Sequence, residues 1–178
     1  MEALMTIEEF RQELKNKRDY FYQFPWPATI YGHWSAGRYF TTFNDYHFNV
    51  DGDGEIIYTR PLDEVPKATW HRNTGSIAIA LCCCYNARPN DLGEYPPTAA
   101  QIETLAKMFA VIAEVFDNPI DREHFMTHGE AANDDGYGLY SGDPDCRWDL
   151  EQLCDQDEIG TGGDILRGKA QWYLENGV

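Results

Sequence analysis

The sequence predicts an α/β (α+β) fold in a single domain, with a central mixed β-sheet flanked by helices. Strand-like apolar runs and amphipathic helical segments follow one another in mixed order, which is typical of this class. The 178-residue chain has no linker long enough to separate two domains, and its hydrophobic content of 43% is enough to bury a core. No apolar run approaches the ~18 residues that a membrane-spanning helix requires.

The amino-terminal part is predicted to form one helix and one strand. Thr6 and Glu9 form a capping box at the start of a helix over residues 6–17. The apolar face of this helix consists of Ile7, Phe10 and Leu14. Residues 24–27 contain two prolines that interrupt regular structure, and residues 29–34 then form a short buried strand with a histidine near its end.

A hairpin and a central strand are predicted next. Residues 46–50 alternate in the manner of a strand, and the Asp-Gly-Asp-Gly turn at residues 51–54 joins them to a partner strand at residues 55–58. This turn lacks the further ligands and the distal glutamate of a calcium-binding loop. Residues 76–85 are largely apolar and partly β-branched, which predicts a central buried strand.

Two helices are predicted in the second half of the chain. Thr98 and Gln101 form a second capping box, which begins a long helix that ends before Asn118-Pro119. The buried stripe of this helix consists of Ile102, Leu105, Phe109, Ile112 and Phe116. A final helix is predicted over residues 164–175.

Net charge and cysteine content limit the binding partners of the chain and the redox environment in which it is expected. A formal net charge of −16 argues against nucleic acid and against an anionic membrane as partners, because both require clustered Lys and Arg. Three of the five cysteines are consecutive at residues 82–84 and make a poor disulfide set, so we expect reduced thiols. Residues 1–20 contain no signal-peptide pattern, and we therefore expect synthesis in the cytoplasm without a signal peptide.

Side chains that can bind a metal concentrate between residues 124 and 149. His124 and His128 are followed by a Gly-, Asp- and Asn-rich loop, which ends in four further candidate ligands: Asp143, Asp145, Cys146 and Asp149. A third ligand has to come from another element, and His33 at the end of a predicted strand can supply it. His33, His128 and Asp149 would make a site of two histidines and one carboxylate, which leaves a fourth position open as in catalytic zinc sites.

Six motifs occur in one order along residues 28–150. They are Tyr31-Gly32-His33, Asp45-Tyr46-His47-Phe48 with its following Asp-Gly hairpin, Trp70-His71 before Ser76-Ile77-Ala78-Ile79, Pro97-Thr98-Ala99-Ala100-Gln101, Thr127-His128-Gly129-Glu130 and Arg147-Trp148-Asp149. Together they resemble the type-2 N-acetylmuramoyl-L-alanine amidases, zinc amidases that share their fold with the peptidoglycan recognition proteins. The resemblance implies one catalytic domain over residues 1–178, with an N-terminal helix and linker at 1–27 and a C-terminal helical segment at 151–178.

The resemblance also implies a role for each residue of the metal site. His33 and His128 match the two zinc histidines of the family, and one Zn²⁺ ion is the expected cofactor. The third family ligand is a Cys or Asp two residues after a basic residue. This spacing favours Asp149 over Cys146 and makes Arg147, in place of the usual Lys, the group that stabilises the reacting carbonyl.

Further matches concern catalysis and substrate contact. Tyr46 matches the catalytic tyrosine of phage-type members, whereas Ala80 stands where wall-recycling members have a glutamate. His71 matches a position near the substrate, and Trp34 and Trp70 are expected to form cleft walls. Four neighbouring residues are expected to be structural or supporting: His47, His124, Glu130 and Trp148.

The implied function is hydrolysis of the amide bond between N-acetylmuramic acid and the first L-alanine of the stem peptide. The expected substrate is peptidoglycan or a muropeptide, and a monomer is favoured. A phage-type endolysin that reaches the cell wall after phage-mediated release is the first hypothesis, and a cytoplasmic wall-recycling amidase is the second. A non-catalytic peptidoglycan-binding module and a zinc endopeptidase that cuts within the stem peptide are the alternatives.

Overall fold

The computed structural model describes residues 2–178, which form one six-stranded sheet and four helices. The strands are β1 (Ala3–Met5), β2 (Thr29–Trp34), β3 (Phe48–Val50), β4 (Ile56–Tyr58), β5 (Ser76–Leu81) and β6 (Phe125–Thr127). The helices are α1 (Ile7–Tyr22), α2 (Ala99–Phe116), α3 (His128–Asp135) and α4 (Gly162–Asn176). The predicted class, a mixed sheet with helices packed on it, is confirmed.

The parallel part of the sheet determines where the functional residues meet. In the order β1-β4-β3-β5-β2-β6, strand β2 lies between β5 and β6 and is parallel to both. The carboxyl ends of parallel strands lie at the same edge of a sheet, where ligands commonly bind. His33 pairs with Ala80 near the end of β2, and Thr127 at the end of β6 pairs with Gly32. His33 and His128 are therefore brought to one edge by strand register alone.

Helix α2 supplies much of the core and is fixed to the sheet at its amino end. Its predicted stripe is buried at Leu105, Phe109, Ile112 and Phe116, and Ile102 packs against the core from a partly buried position. Burying a Leu, Ile or Phe side chain stabilises the fold by roughly 1.5–3 kcal/mol. The predicted capping box at Thr98 is confirmed, and the amide of Gln101 donates to the carbonyls of Val50 and Cys82 at 3.1 and 2.9 Å.

Several elements differ from the sequence prediction, and β6 and α3 were not predicted at all. Helix α1 continues to Tyr22 instead of ending at residue 17, because Phe21 is buried against Phe116 with ring centroids 5.5 Å apart. Strand β1 was not predicted; it has only three residues and depends on antiparallel pairing with β4. Strand β5 ends at Leu81 instead of residue 85, because the chain turns and Cys84 adopts a left-handed backbone conformation with φ 69°.

Two further expectations concern thiols and membranes. Within residues 2–178 all five cysteines are free, and Cys82, Cys83 and Cys84 are buried. Among the helices that the structure describes, we find none whose length and apolar character would let it cross a bilayer.

Candidate active site

The side chains of His33, His128 and Asp149 converge at the carboxyl edge of the sheet. Nδ1 of His33 lies 3.1 Å from Nδ1 of His128, and Oδ2 of Asp149 lies 3.5 Å and 3.4 Å from these two nitrogens. All three residues are buried. A tetrahedral zinc ion with bonds near 2.1 Å separates its donor atoms by about 3.4 Å, so the three donors fit one ion and leave a position open.

Local sequence explains how helix α3 presents its histidine. His128 is the first residue of the helix, and Thr127 caps the helix through a reciprocal pair of hydrogen bonds with Glu130 at 2.9 and 3.1 Å. The N–H of Gly129 donates to the carbonyl of Asp149 at 3.1 Å. A Cβ atom at Gly129 would lie 2.9 Å from that carbonyl oxygen, so only glycine allows the Asp149 loop to approach the helix start this closely.

Each histidine of the cluster has a second partner on its other ring nitrogen. Nε2 of His33 lies 3.2 Å from Oγ1 of Thr69, and Nε2 of His128 lies 3.2 Å from the hydroxyl of Tyr137. When Nδ1 binds a metal, Nε2 carries the proton and donates to these hydroxyl oxygens. Such bonds fix the ring orientation and increase the basicity of the ligand. Neither Thr69 nor Tyr137 was predicted from the sequence.

The electrostatic environment favours the metal-binding protonation states of two members of the cluster, His33 and Asp149. Burial lowers the pKa of His33 to about 4, although the nearby Asp149 opposes the shift. Burial raises the pKa of Asp149, but the adjacent His128 and His33 outweigh it and hold this pKa well below its usual range. A neutral imidazole and an ionised carboxylate are the forms that coordinate a metal ion.

Tyr46 and Arg147 lie beside the cluster in different ways. The Tyr46 ring lies 5.1 Å from the His33 ring, and burial, together with the charge of Asp149, raises the pKa of its hydroxyl well above the usual value. The hydroxyl therefore stays protonated and can donate. Arg147 is exposed, and its Nη1 donates to the backbone carbonyls of Asp145 and Cys146 at 2.8 and 3.2 Å. These bonds hold the guanidinium within its own loop.

Two cavities of about 580 and 400 Å³ open beside the donor cluster. They share four lining residues: Lys67, Ala68, His128 and Arg147. The larger cavity is also lined by Trp70, Tyr137 and Asp143, and the smaller one by Tyr46 and Asp149. A substrate in either cavity would therefore meet His128 and the two basic residues that the cavities share, Lys67 and Arg147.

The residues expected to contact substrate occupy three different environments. Trp70 is 58% exposed on the wall of the larger cavity and stacks on His71 with ring centroids 3.8 Å apart. His71 is exposed, has a left-handed φ of 61° and lies outside both of these cavities. Trp34 lines the smaller cavity but is largely buried against Trp148, with centroids 4.5 Å apart. Trp70 is thus the exposed aromatic side chain on the wall of the larger cavity.

The structure separates the candidate third ligands. Asp149 belongs to the buried donor cluster with His33 and His128, whereas Cys146 lines the smaller cavity outside that cluster. Asp143 and Asp145 are exposed on the larger cavity. The geometry thus supports Asp149 as the third donor.

Two other histidines have structural partners. Nδ1 of His47 accepts the N–H of Ala78 at 3.1 Å, so its Nε2 carries the proton and donates to the carbonyl of Glu64 at 2.8 Å. His124 was expected to be structural or supporting, and strand β6 lies between it and His128. Nδ1 of His124 instead bonds Asp121 at 2.7 Å, away from the cluster.

Helix α4 is joined to the start of α3 by a buried ion pair. Arg167 donates through two nitrogens to the carboxylate of Glu130 at 2.8 and 2.7 Å, and it also donates to the carbonyl of Phe125 at 2.8 Å. Gly163 packs against the same carboxylate, where a side chain would collide. Glu130 thus caps α3 and connects it to the carboxyl-terminal helix.

The chain belongs to the N-acetylmuramoyl-L-alanine amidase family, whose model matches residues 12–143. This match includes His33, Tyr46 and His128 and ends before Arg147 and Asp149. Among solved structures, the chain is similar to the Ph2119 endolysin from Thermus scotoductus MAT2119 bacteriophage Ph2119. The identity is 19%, the TM-score is 0.47, and the alignment covers 59% of this chain and 73% of that chain. Comparison with curated protein sequences gives no match.

Proposed function

We propose that this protein is a zinc-dependent amidase that cleaves the bond between the lactyl group of N-acetylmuramic acid and the L-alanine of the stem peptide. The observation that carries the proposal is the buried convergence of His33, His128 and Asp149 beside two open cavities. Membership of the amidase family supplies the substrate class, which is peptidoglycan.

The donor cluster would hold one zinc ion through Nδ1 of His33, Nδ1 of His128 and a carboxylate oxygen of Asp149. Zinc supplies a Lewis acid for the amide carbonyl and a means of activating water near neutral pH. Thr69 and Tyr137 keep the two rings oriented, because each hydroxyl oxygen accepts the Nε2 proton of its histidine.

Tyr46 and Arg147 would act on the charge that develops during hydrolysis. The protonated hydroxyl of Tyr46 donates a hydrogen bond to the carbonyl oxygen as it becomes negative, and the Arg147 guanidinium neutralises it from the shared wall of the cavities. Removing one donor of this kind typically lowers the rate by about 10²–10³. Ala80, which pairs with His33, offers no carboxylate, so the proton of the attacking water would reach the leaving amine through solvent, while Tyr46 keeps its own proton and donates a hydrogen bond.

For the biological setting we propose a phage-type endolysin, made in the cytoplasm and acting on the cell wall after phage-mediated release. Two residues support this choice over a wall-recycling amidase. Tyr46 stands beside the donor cluster, as in the phage-type pattern, and Ala80 occupies the position of the recycling-type glutamate. The two settings differ in substrate, since an endolysin must cut the intact sacculus and a recycling enzyme acts on soluble muropeptides.

A digest of purified sacculi and of soluble muropeptides by the zinc-loaded protein tests this function. We expect new amino-terminal L-alanine from sacculi and, by mass spectrometry, muramic acid freed from peptide. Fragments that retain muramic acid on alanine but lose distal residues would indicate the endopeptidase instead. Bound zinc without any new amino terminus would indicate a non-catalytic binding module. Cleavage of muropeptides alone would favour the recycling role.

A further inference from the structure

Tyr137 lies directly after helix α3, at a turn that brings it back over the start of that helix. The helix ends at Gly136, whose left-handed φ of 87° reverses the chain. The N–H of Tyr137 then donates to the carbonyl of Ala132 at 2.9 Å. This local geometry directs the Tyr137 side chain toward His128, at the other end of the same short helix.

Three contacts connect Tyr137 to different parts of the candidate active site. Its hydroxyl lies 3.2 Å from Nε2 of His128, and its ring meets that of Trp70 edge-on, with centroids 5.7 Å apart. Its backbone carbonyl accepts the N–H of Arg147 at 3.0 Å. The side chain thus contacts the candidate metal ligand His128 and the cavity wall at Trp70. The main chain holds Arg147, one of the two basic residues that line both cavities.

The hydrogen bond between Tyr137 and Arg147 closes an exposed loop. The residues between them include Gly138 and Gly142, and most of the loop is accessible to solvent. The loop leads directly to Asp149, whose own carbonyl is bound by Gly129. Fixing the chain at Tyr137 and again at Asp149 therefore limits where Arg147 can lie relative to the donor cluster.

We propose that Tyr137 is a positioning residue that couples the orientation of the metal ligand His128 to the placement of Arg147. This inference rests on the proposed function, because it assumes that Nδ1 of His128 binds the metal. The Tyr137 hydroxyl accepts the Nε2 proton and holds the ring, and the Tyr137 carbonyl holds the loop. One residue thereby sets the distance between the metal and the group that stabilises the oxyanion.

Tyr137→Phe isolates the hydroxyl, since the ring and the backbone carbonyl are retained. We expect its zinc affinity, measured by competition with a chromogenic chelator, to fall roughly 10- to 100-fold below wild type, as for other outer partners of metal-bound histidines. The visible absorption bands of the cobalt(II)-substituted protein should shift, because His128 is less strictly oriented. Tyr140→Phe is the matched control, since Tyr140 belongs to the same loop and is 82% exposed.

Kinetics distinguish positioning from simple loss of stability. In zinc-saturated Tyr137→Phe we expect kcat to fall with KM unchanged, whereas Tyr137→Leu should also raise KM, because it removes the ring beside Trp70. Zinc affinity within about twofold of wild type and an unchanged cobalt spectrum in Tyr137→Phe would overturn the inference while leaving the amidase proposal intact. Failure of the wild-type protein to bind zinc would overturn both.

Discussion

Asp149 is fixed against the first turn of helix α3 by both its side chain and its main chain. Its Oδ2 lies 3.4 Å from Nδ1 of His128, and its carbonyl accepts the N–H of Gly129 at 3.1 Å. The backbone hydrogen bond fixes the main chain of Asp149 against the start of the helix, and from there the side chain reaches Nδ1 of His128. These two contacts place the carboxylate where it can complete the donor set with the two histidines.

This arrangement predicts which residue is the third ligand. Asp149→Ala should lose bound zinc, whereas Cys146→Ala should retain it, because only Asp149 belongs to the buried cluster. Metal content after dialysis, measured by atomic emission, gives the answer directly. Zinc retained by Asp149→Ala and lost by Cys146→Ala would transfer the role to the cysteine.

Tyr46→Phe should lower kcat by about 10²–10³ without changing zinc content, because it removes one donor to the developing oxyanion. The measurement is release of L-alanine amino termini from sacculi at saturating zinc. Tyr39→Phe serves as the control, since the Tyr39 hydroxyl donates to the carbonyl of Pro96, away from the donor cluster. Equal rates for Tyr46→Phe and wild type would mean that Tyr46 has only a packing role.

Substitutions of Arg147 should separate the effect of its positive charge on kcat from the effect of its planar donor group. Arg147→Ala is expected to reduce kcat by about 10²-fold, and Arg147→Lys to recover part of this loss, because lysine restores the charge but not the planar donor group. Both variants should bind zinc normally, since the Arg147 side chain contacts no donor of the cluster and its backbone bond to Tyr137 is retained. Loss of zinc from both would instead assign the side chain a structural role in the loop.

His47 should make the fold sensitive to acid. Burial lowers the pKa of His47 from its ordinary value of 6.5 to about 4, so the unfolded chain binds a proton at this residue more readily than the folded chain. Stability from this group is complete above pH 6.5 and is lost as the pH falls toward 4, with a maximum loss of about 3 kcal/mol.

The contribution of His47 to the pH dependence of stability is the difference between wild type and His47→Gln. Urea unfolding of the metal-free protein between pH 7 and pH 4.5 should show a steeper loss of stability for wild type than for His47→Gln. The other titrating groups are common to both proteins, so their contributions to the pH dependence cancel in the comparison. Parallel pH profiles would show that His47 does not remain neutral in the folded state.

The ion pair between Glu130 and Arg167 predicts a coupled effect on stability. Arg167→Leu leaves the buried Glu130 carboxylate without its main partner and should destabilise the protein by about 3 kcal/mol in urea unfolding. The double variant Glu130→Gln/Arg167→Leu should be more stable than Arg167→Leu alone, because glutamine is uncharged and can still cap α3. Additive losses in the double variant would argue against the coupling.

Strand register explains why the candidate metal ligands named from the sequence lie together in the structure. His33 lies near the end of the predicted strand β2, and parallel pairing of β2 with β6, a strand that was not predicted, places His128 beside it. The spacing of Asp149 two residues after Arg147 favoured it as the third ligand, and the hydrogen bond from Gly129 to its carbonyl brings it beside His128. The roles of Tyr46, Arg147 and the substrate-contacting residues stay predictions until the variants are measured.

The outer partners of the site could not be predicted, for a physical reason. Thr69 and Tyr137 lie in irregular segments, where no hydrophobic period fixes the direction of a side chain. Each reaches its histidine through one side-chain hydrogen bond to an Nε2 atom, and such a bond leaves no pattern in neighbouring residues. The short strand β1 was missed for a similar reason, since three residues depend entirely on a distant partner strand.

The segment from Thr127 to Glu130 combines four constraints in four consecutive positions. Thr127 caps the helix, His128 faces the donor cluster, Gly129 admits the carbonyl of Asp149, and Glu130 binds Arg167. No position in this tetrapeptide can change without affecting an element elsewhere in the chain. A complete mutational scan should therefore show low tolerance here, with tolerance recovering only at the exposed residues 133–135 of the same helix. Evolution of new specificity is expected to proceed through the cavity loops instead.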